Sequence, residues 1–345
     1  MGTRREPKRA TITDIARQAQ VSTATVSYAL NDLPGVSKET RRRILEIADR
    51  MGWRPNSSAR ALHRSRVDAV GIVLVGSNQI KGALPEFLLR FLPGIQEELA
   101  ARDILLIMHN VPDLATANRT YQSWRDERRV DGVLVLNPYQ DDPRLPFLEQ
   151  IGLPAVIIGD TREVSTIPSV WTDDEAAMNL AVEHLAALGH RRICRIGVRS
   201  QYRHSLAREQ MFRDAMQHAG LAADLMGYHH KSDSGEEDIL SRWLRSNDPP
   251  TALIHEDPTL AVEAMFDLQH RGIAVPDDLS IIGWDDSVLS EVVRPAMTTL
   301  HRDLFQYGMA AARQLVLLVD GEEAGHLRGT TTELLVRGST AVPRA

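Results

Sequence analysis

A chain of 345 residues, 43% hydrophobic and 25% charged, has the balance of a water-soluble protein with room for one small and one large domain. Its single cysteine, Cys194, excludes an intrachain disulfide framework and points to a reducing cytoplasm; no apolar run is long enough to span a membrane, and the basic start MGTRREPKRA lacks the apolar core of a signal peptide. Residues 1–66 carry 14 Lys and Arg against 6 Asp and Glu, a net of +8, while residues 67–345 carry 26 against 40, a net of −14, so a polyanion such as DNA suits the front of the chain and would be repelled by the rest.

Thr11 can cap a first helix, with Asp14 three residues on and Ile12, Ile15, Ala16 and Ala19 along one face. A turn at Gln20 and Val21 leads to Ser22, which can cap a second helix. There Val26 and Leu30 face inward behind an outer surface of Thr23, Ala24, Thr25, Ser27 and Tyr28. Two such helices fit a helix-turn-helix whose second helix lies in a major groove; taken alone, the stretch fits a generic helical hairpin equally well.

The next thirty residues favour the helix-turn-helix. After the turn DLPG at 32–35, Ser37 caps a third helix from Lys38 to Met51, stopped by Gly52, with Ile44, Ala48 and Met51 as its buried stripe. Arg41, Arg42 and Arg43 point elsewhere, either as a plain solvated face or, beside a helix-turn-helix, with at least one of them on phosphate. Pro55 interrupts, and Asn56 or Ser57 can cap only about two further turns before the strand-like run at Val67. A helix that short is marginal in water, and its one large apolar side chain, Leu62, has no core of its own.

Beyond residue 66 apolar strands alternate with amphipathic helices. Strands at 70–75, 104–108, 132–136 and 155–159, with helices at 87–102 and 115–128, form one series. Strands at 193–198, 252–255 and 279–284, with helices at 174–188, 205–219 and 259–271, form another. Two such series predict two lobes around a cleft, with ligand at the carboxyl ends of the strands. Asn137, Asp160, Glu256 and Asp285 stand just past strands, and Arg208 near the start of a helix that succeeds one. Carboxylates, an amide and a guanidinium suit a polyhydroxylated ligand, since the first accept from hydroxyls and the last donates to them.

An enzyme is not indicated. No G-x-G-x-x-G or P-loop comes after a strand, no H-E-x-x-H or cysteine cluster offers a metal site, and no G-x-S-x-G elbow supplies a nucleophile, so neither cofactor nor metal is expected. His229-His230 reads as a surface pair. A free-standing solute-binding protein would have no use for the +8 front end.

Three linked motifs, TITDIA at 11–16, VSTATVSYALN at 21–31 and PNSSARAL at 55–62, resemble the DNA-binding headpiece and hinge of the lactose/galactose repressor family of bacterial transcription regulators. IPSVWTDD (167–174), HLAALGHRRI (184–193), GIAVPDDLSIIGWDD (272–286), PAMTTL (295–300) and LLVRGST (334–340) are similar to the family's sensor core, so the likeness covers nearly the whole chain. It implies an all-α helix-turn-helix headpiece (1–54), a hinge helix and linker (55–66) and a two-lobed α/β core of the periplasmic-binding-protein type (67–345). The N-lobe is expected at about 67–168 plus 300–325, and the C-lobe at about 169–299 plus 326–345.

By the same resemblance Thr23, Ala24 and Tyr28 read bases and Leu62 is a minor-groove wedge, with Thr11, Ser22, Thr25, Ser27, Asn31, Asn56 and Ala59 also at the DNA surface. Arg208 matches an effector-contacting arginine, Asp160 and Asp285 sugar-binding carboxylates, and Asn137 a cleft amide. Trp284 is expected in the core; Trp171 could be core or stack on a sugar. The function implied is a repressor that binds a palindromic operator as a homodimer and is released or tightened by a mono- or disaccharide in the cleft. Its partners are then duplex DNA, that sugar and a second copy, with no membrane. No heptad helix comes after Arg337, which favours a dimer over a tetramer.

Overall fold

The computed structural model describes residues 10–30, 33–53, 66–76, 85–198, 201–229 and 238–344. The chain divides into two compact units, Met1–Val67 and Asp68–Ala345. In the first, Thr11 and Asp14 form a reciprocal capping box that starts helix α1 (Ile12–Ala19). Gln20 turns the chain in the left-handed region, φ 53°, toward α2 (Thr23–Leu30), and Ser37 caps α3 (Lys38–Arg50). Ile15, Ala16, Ala19, Val26, Ala29, Ile44, Ile47 and Ala48 close the core, with Leu30 and Met51 packed at its margin. Ala29 and Ile47 join the stripes expected from sequence because each is one helical step from an anticipated core position.

The second unit holds two six-stranded sheets. The N-lobe sheet comprises β1 (Ala69–Val75), β2 (Leu105–Val111), β3 (Gly132–Val135), β4 (Ala155–Ile158), β5 (Ser169–Thr172) and β11 (Leu327–Thr330). Its order is β11-β5-β4-β3-β1-β2, parallel throughout. The C-lobe sheet comprises β6 (Ile193–Gly197), β7 (Met226–Tyr228), β8 (Ala252–His255), β9 (Ser280–Trp284), β10 (Thr298–Arg302) and β12 (Thr332–Leu335). Its order is β12-β10-β9-β8-β6-β7, with only β12 antiparallel.

The chain therefore crosses between lobes after β5, after β10 and after β11, at about residues 173, 303 and 331. These crossings lie three to six residues beyond the boundaries expected from sequence, because each strand finishes pairing in its own sheet before the chain leaves it: Ile158 still faces Val170, and Leu300 faces Trp284.

Helices cover both faces of both sheets. In the N-lobe α4 (Glu86–Ala100) and α12 (Leu304–Asp320) bury Phe91, Ile95, Leu99, Tyr307, Ala311 and Leu315 on one face, and α5 (Leu114–Asp126) and α6 (Arg144–Ile151) bury Tyr121, Trp124 and Leu148 on the other. In the C-lobe α7 (Asp174–Ala187) and α8 (Arg203–His218) pack around Met178, Phe212 and Trp284. The opposite face is closed by α9 (Ile239–Leu244), α10 (Pro258–His270) and α11 (Val288–Val292), around Cys194, Leu240, Met265 and Leu268. Among the described residues no helix is long and apolar enough to cross a membrane.

Candidate functional site

Two surfaces matter, one in each unit. On α2, Thr23, Ala24 and Tyr28 are exposed, while Thr25 and Ser27 are half-buried. Ser22 is spent on the cap: its Oγ accepts the Thr25 N–H at 3.0 Å and lies 2.8 Å from Thr25 Oγ1. Thr11 is similarly engaged, donating its hydroxyl to Asp14 Oδ2 at 2.6 Å. Arg41 Nη2 donates to Leu33 O at 2.6 Å and so holds the α2–α3 loop, whereas Arg42 and Arg43 are exposed. Asn31, Asn56, Ala59 and Leu62 lie outside the described residues.

Between the lobes of the second unit is a cavity of about 720 Å³. Asn137, Asp160, Arg208, Glu256 and Asp285 all line it. Asn137 and Asp285 come just after β3 and β9 and adopt the left-handed region, at φ 47° and 62°. Asn and Asp tolerate that conformation better than most side chains.

The carboxylates are not free acceptors, as their strand-end positions alone would suggest; each is held by an arginine. Arg302 makes a two-pronged pair with Asp285 (2.6 and 2.9 Å) and donates to Thr172 Oγ1 at 2.8 Å. Arg208 Nε donates to Asp174 Oδ2 at 2.7 Å, and its guanidinium lies 3.9 Å above the Trp284 ring. Glu256 is bound by Arg195 Nε at 2.6 Å, and its side chain is buried within the wall. Asp160, nearer the rim, pairs with Arg162 at 2.9 and 2.8 Å, and that arginine stacks 3.7 Å over Trp171. Trp284 is in the core, 1% exposed; Trp171 is half-buried on the cavity wall.

Burial acts to raise the Asp174 carboxyl, but the charges of Arg208 and Arg302 outweigh it and hold that carboxyl below the usual range. For Glu256 burial wins and the carboxyl is pushed up. His204, on the cavity wall, is pushed down to about 3 by burial and by the Arg208 charge, so it is neutral. At the cavity, residues 138–140 of the N-lobe meet 201–203 of the C-lobe. Tyr139 bridges Tyr202 antiparallel, Arg203 N–H donates to Pro138 O at 2.9 Å, and the two tyrosine rings meet edge to face at 5.2 Å.

Sequence reasoning missed Thr172, Asp174, Arg302, His204, Tyr139 and Tyr202. The first three end or succeed β5 and β10, so the strand-end rule would have found them had those strands been recognised. Among the described residues no cluster of His, Cys, Asp or Glu is placed to hold a metal ion.

This architecture has close counterparts. Residues 11–56 match the family model for bacterial regulatory proteins of the lacI family, and residues 182–340 match a periplasmic binding protein-like domain. Catabolite control protein A of Priestia megaterium is 28% identical, over 90% of this chain and 93% of that one. The chain thus carries a DNA-binding domain of the lacI type ahead of a periplasmic binding protein-like domain. A solved CelR–cellobiose complex is 28% identical and superposes with a TM-score of 0.70, covering 96% of this chain and all of that one. A lac repressor dimer bound to operator and the anti-inducer ONPF superposes at 0.83 over 97% of this chain and all of that one; its 21% identity speaks to the fold alone. The relatives this chain matches are transcriptional regulators rather than enzymes, and it has counterparts of both a DNA-binding and a ligand-binding domain.

Proposed function

We propose that this regulator is a repressor that binds a palindromic operator as a homodimer and takes a mono- or disaccharide in the interlobe cleft, ligand and operator each altering the affinity of the other. The observation that carries the reading is the convergence of Asn137, Asp160, Arg208 and Asp285, drawn from both lobes, on one cavity at the ends of the strands. About 720 Å³ is within the range of small-molecule pockets. Arg208 spends Nε on Asp174 and has Nη1 3.9 Å from Glu256 Oε2, yet lines the cavity; Asp160 and Asp285, though paired, retain lone pairs for others. Tyr139, Trp171 and Tyr202 on the wall supply ring faces. The similar CelR binds cellobiose in its solved complex, which favours a sugar.

For the homodimer the support is exposed apolar surface on both lobes: Leu89, Leu105 and Met108 on α4 and β2, and Phe266, Val288, Leu289 and Val292 on α10 and α11. In the operator-bound dimer Leu62 would be the minor-groove wedge, and DNA would order the segment 57–63. Titration calorimetry of the full chain against mono- and disaccharides tests the cleft. One sugar should bind, and Asp285→Asn or Arg208→Met should weaken it at least tenfold, the loss of about 1.4 kcal/mol or more expected when a charged hydrogen bond is removed. Binding unaffected by either change would reject the cleft as its site.

A further inference from the structure

The outward face of α2 lacks the groups that read purines. Its sequence is TATVSYAL, with no arginine, lysine, asparagine or glutamine. In a major groove guanine is read by Arg or Lys donating to O6 and N7, and adenine by the amide of Asn or Gln spanning N6 and N7. Thymine alone offers a C5 methyl, which is met by alanine, by the methyl of threonine or by an aromatic ring. The three exposed side chains of α2's outer face are of that kind. Ala24 and Tyr28 stand one turn apart, Thr23 adjoins Ala24, and Tyr28 is 47% exposed. The nearby hydroxyls of Ser22 and Thr25 are tied up in the helix cap. A phenol can make a hydrogen bond to one base atom but cannot grip two as a guanidinium does. Arg17 and Gln18, which could, lie on α1, the helix that in this motif crosses the phosphate backbone; Gln20 caps that helix, and Asn31 comes after the last residue of α2, outside the described residues.

From this chemistry we infer that α2 reads its half-site through thymine methyl groups, with Tyr28 the specificity-determining residue, and not through the edge of a guanine or adenine. The inference rests on the operator-binding reading above and sharpens it. The half-site under α2 is then a short thymine-bearing run, and its recognition is apolar where it is specific, polar only where it is not.

The test begins with selection of binding sites for the full-length protein from a random duplex pool. Single thymines of the selected half-site are then replaced by deoxyuridine, which removes only the methyl. Two or more positions under α2 should be thymine, and each uracil there should weaken binding about fourfold, the equivalent of about 0.8 kcal/mol for one buried methyl. Tyr28→Phe should keep the same site, and Tyr28→Arg should shift selection toward guanine at one position and abolish the uracil effect there. Wild-type protein that selects an invariant guanine under α2, or that ignores uracil at every position, overturns the inference and leaves operator binding intact. Failure to enrich any sequence overturns operator binding itself, and the inference with it.

Discussion

Two histidines, His255 in the core and His204 half-buried on the cavity wall, make stability depend on pH in a definite direction. Burial pushes both His204 and His255 down to about 3, and the Asp257 N–H donated to His255 Nδ1 at 3.2 Å requires that nitrogen unprotonated. The unfolded chain takes up protons as pH falls through the ordinary histidine value of 6.5, and the folded chain does not. Their contribution is therefore fully present above 6.5 and is lost as pH falls toward about 3. His184 and His190, also lowered by burial, act in the same direction. Each group that titrates only in the unfolded chain contributes a slope of up to about 1.4 kcal/mol per pH unit. Urea midpoints should fall from about pH 7 to about pH 5, and His204→Gln with His255→Gln should flatten that fall. An unchanged slope in the double variant would mean that these rings are protonated in the fold. Single residues were also where the sequence misled. Strand-end carboxylates were legible, but Arg302 pairs with Asp285 across 17 positions and Arg195 with Glu256 across 61, and no local pattern announces such a partner.

Elements were more legible than their contacts. The long apolar strands and amphipathic helices could be read to within a few residues, because runs such as 132–136 and 252–255 are bounded by polar turns. The short strands β5, β10, β11 and β12 could not, since TTLHR or LRGT is too polar and too brief to signal a strand. Helix α12 went unread although Leu304, Tyr307, Gly308, Ala311, Ala312, Leu315 and Val316 line its buried face. That helix meets α4 backbone to backbone. A Cβ on Gly94 would sit 1.9 Å from Phe305 O, and one on Gly308 2.2 Å from Phe91 O. Carbonyl oxygens inside helices cannot swing aside, so either added methyl must push the helices apart and loosen Phe91, Ile95 and Tyr307. Gly94→Ala and Gly308→Ala should each cost about 3 kcal/mol or more in urea unfolding. Gly325→Ala, with open space around the new methyl, should cost under about 0.5 kcal/mol. Equal effects at all three would show that the close approach of α4 and α12 is not what the glycines serve.

At the scale of the whole molecule the two units have opposite chemistry, a basic headpiece of +8 through residue 66 and an acidic core of −14, and they act together only if binding in one changes binding in the other. Within the core, a cleft ligand meets contacts that join the two lobes. Asp285, Arg302 and Thr172 are joined beside the crossings after β5 and β10, and residues 138–140 of the N-lobe meet 201–203 of the C-lobe, so any separation of the lobes there must break that second set of contacts. A sugar that touches both lobes binds the closed arrangement more tightly than the open one, and it can shift operator affinity only by that difference. Linkage then demands symmetry: whatever factor the ligand imposes on operator affinity, operator must impose on ligand affinity. For couplings of this kind the factor is about 5- to 150-fold. The measurement is a pair of titrations on one preparation, ligand with and without saturating operator, and operator with and without saturating ligand. Matching factors above about 5 establish the switch, and their direction tells inducer from corepressor. A ligand that binds the core with the same affinity whether or not operator is present would leave the headpiece and cleft as independent sites on one chain.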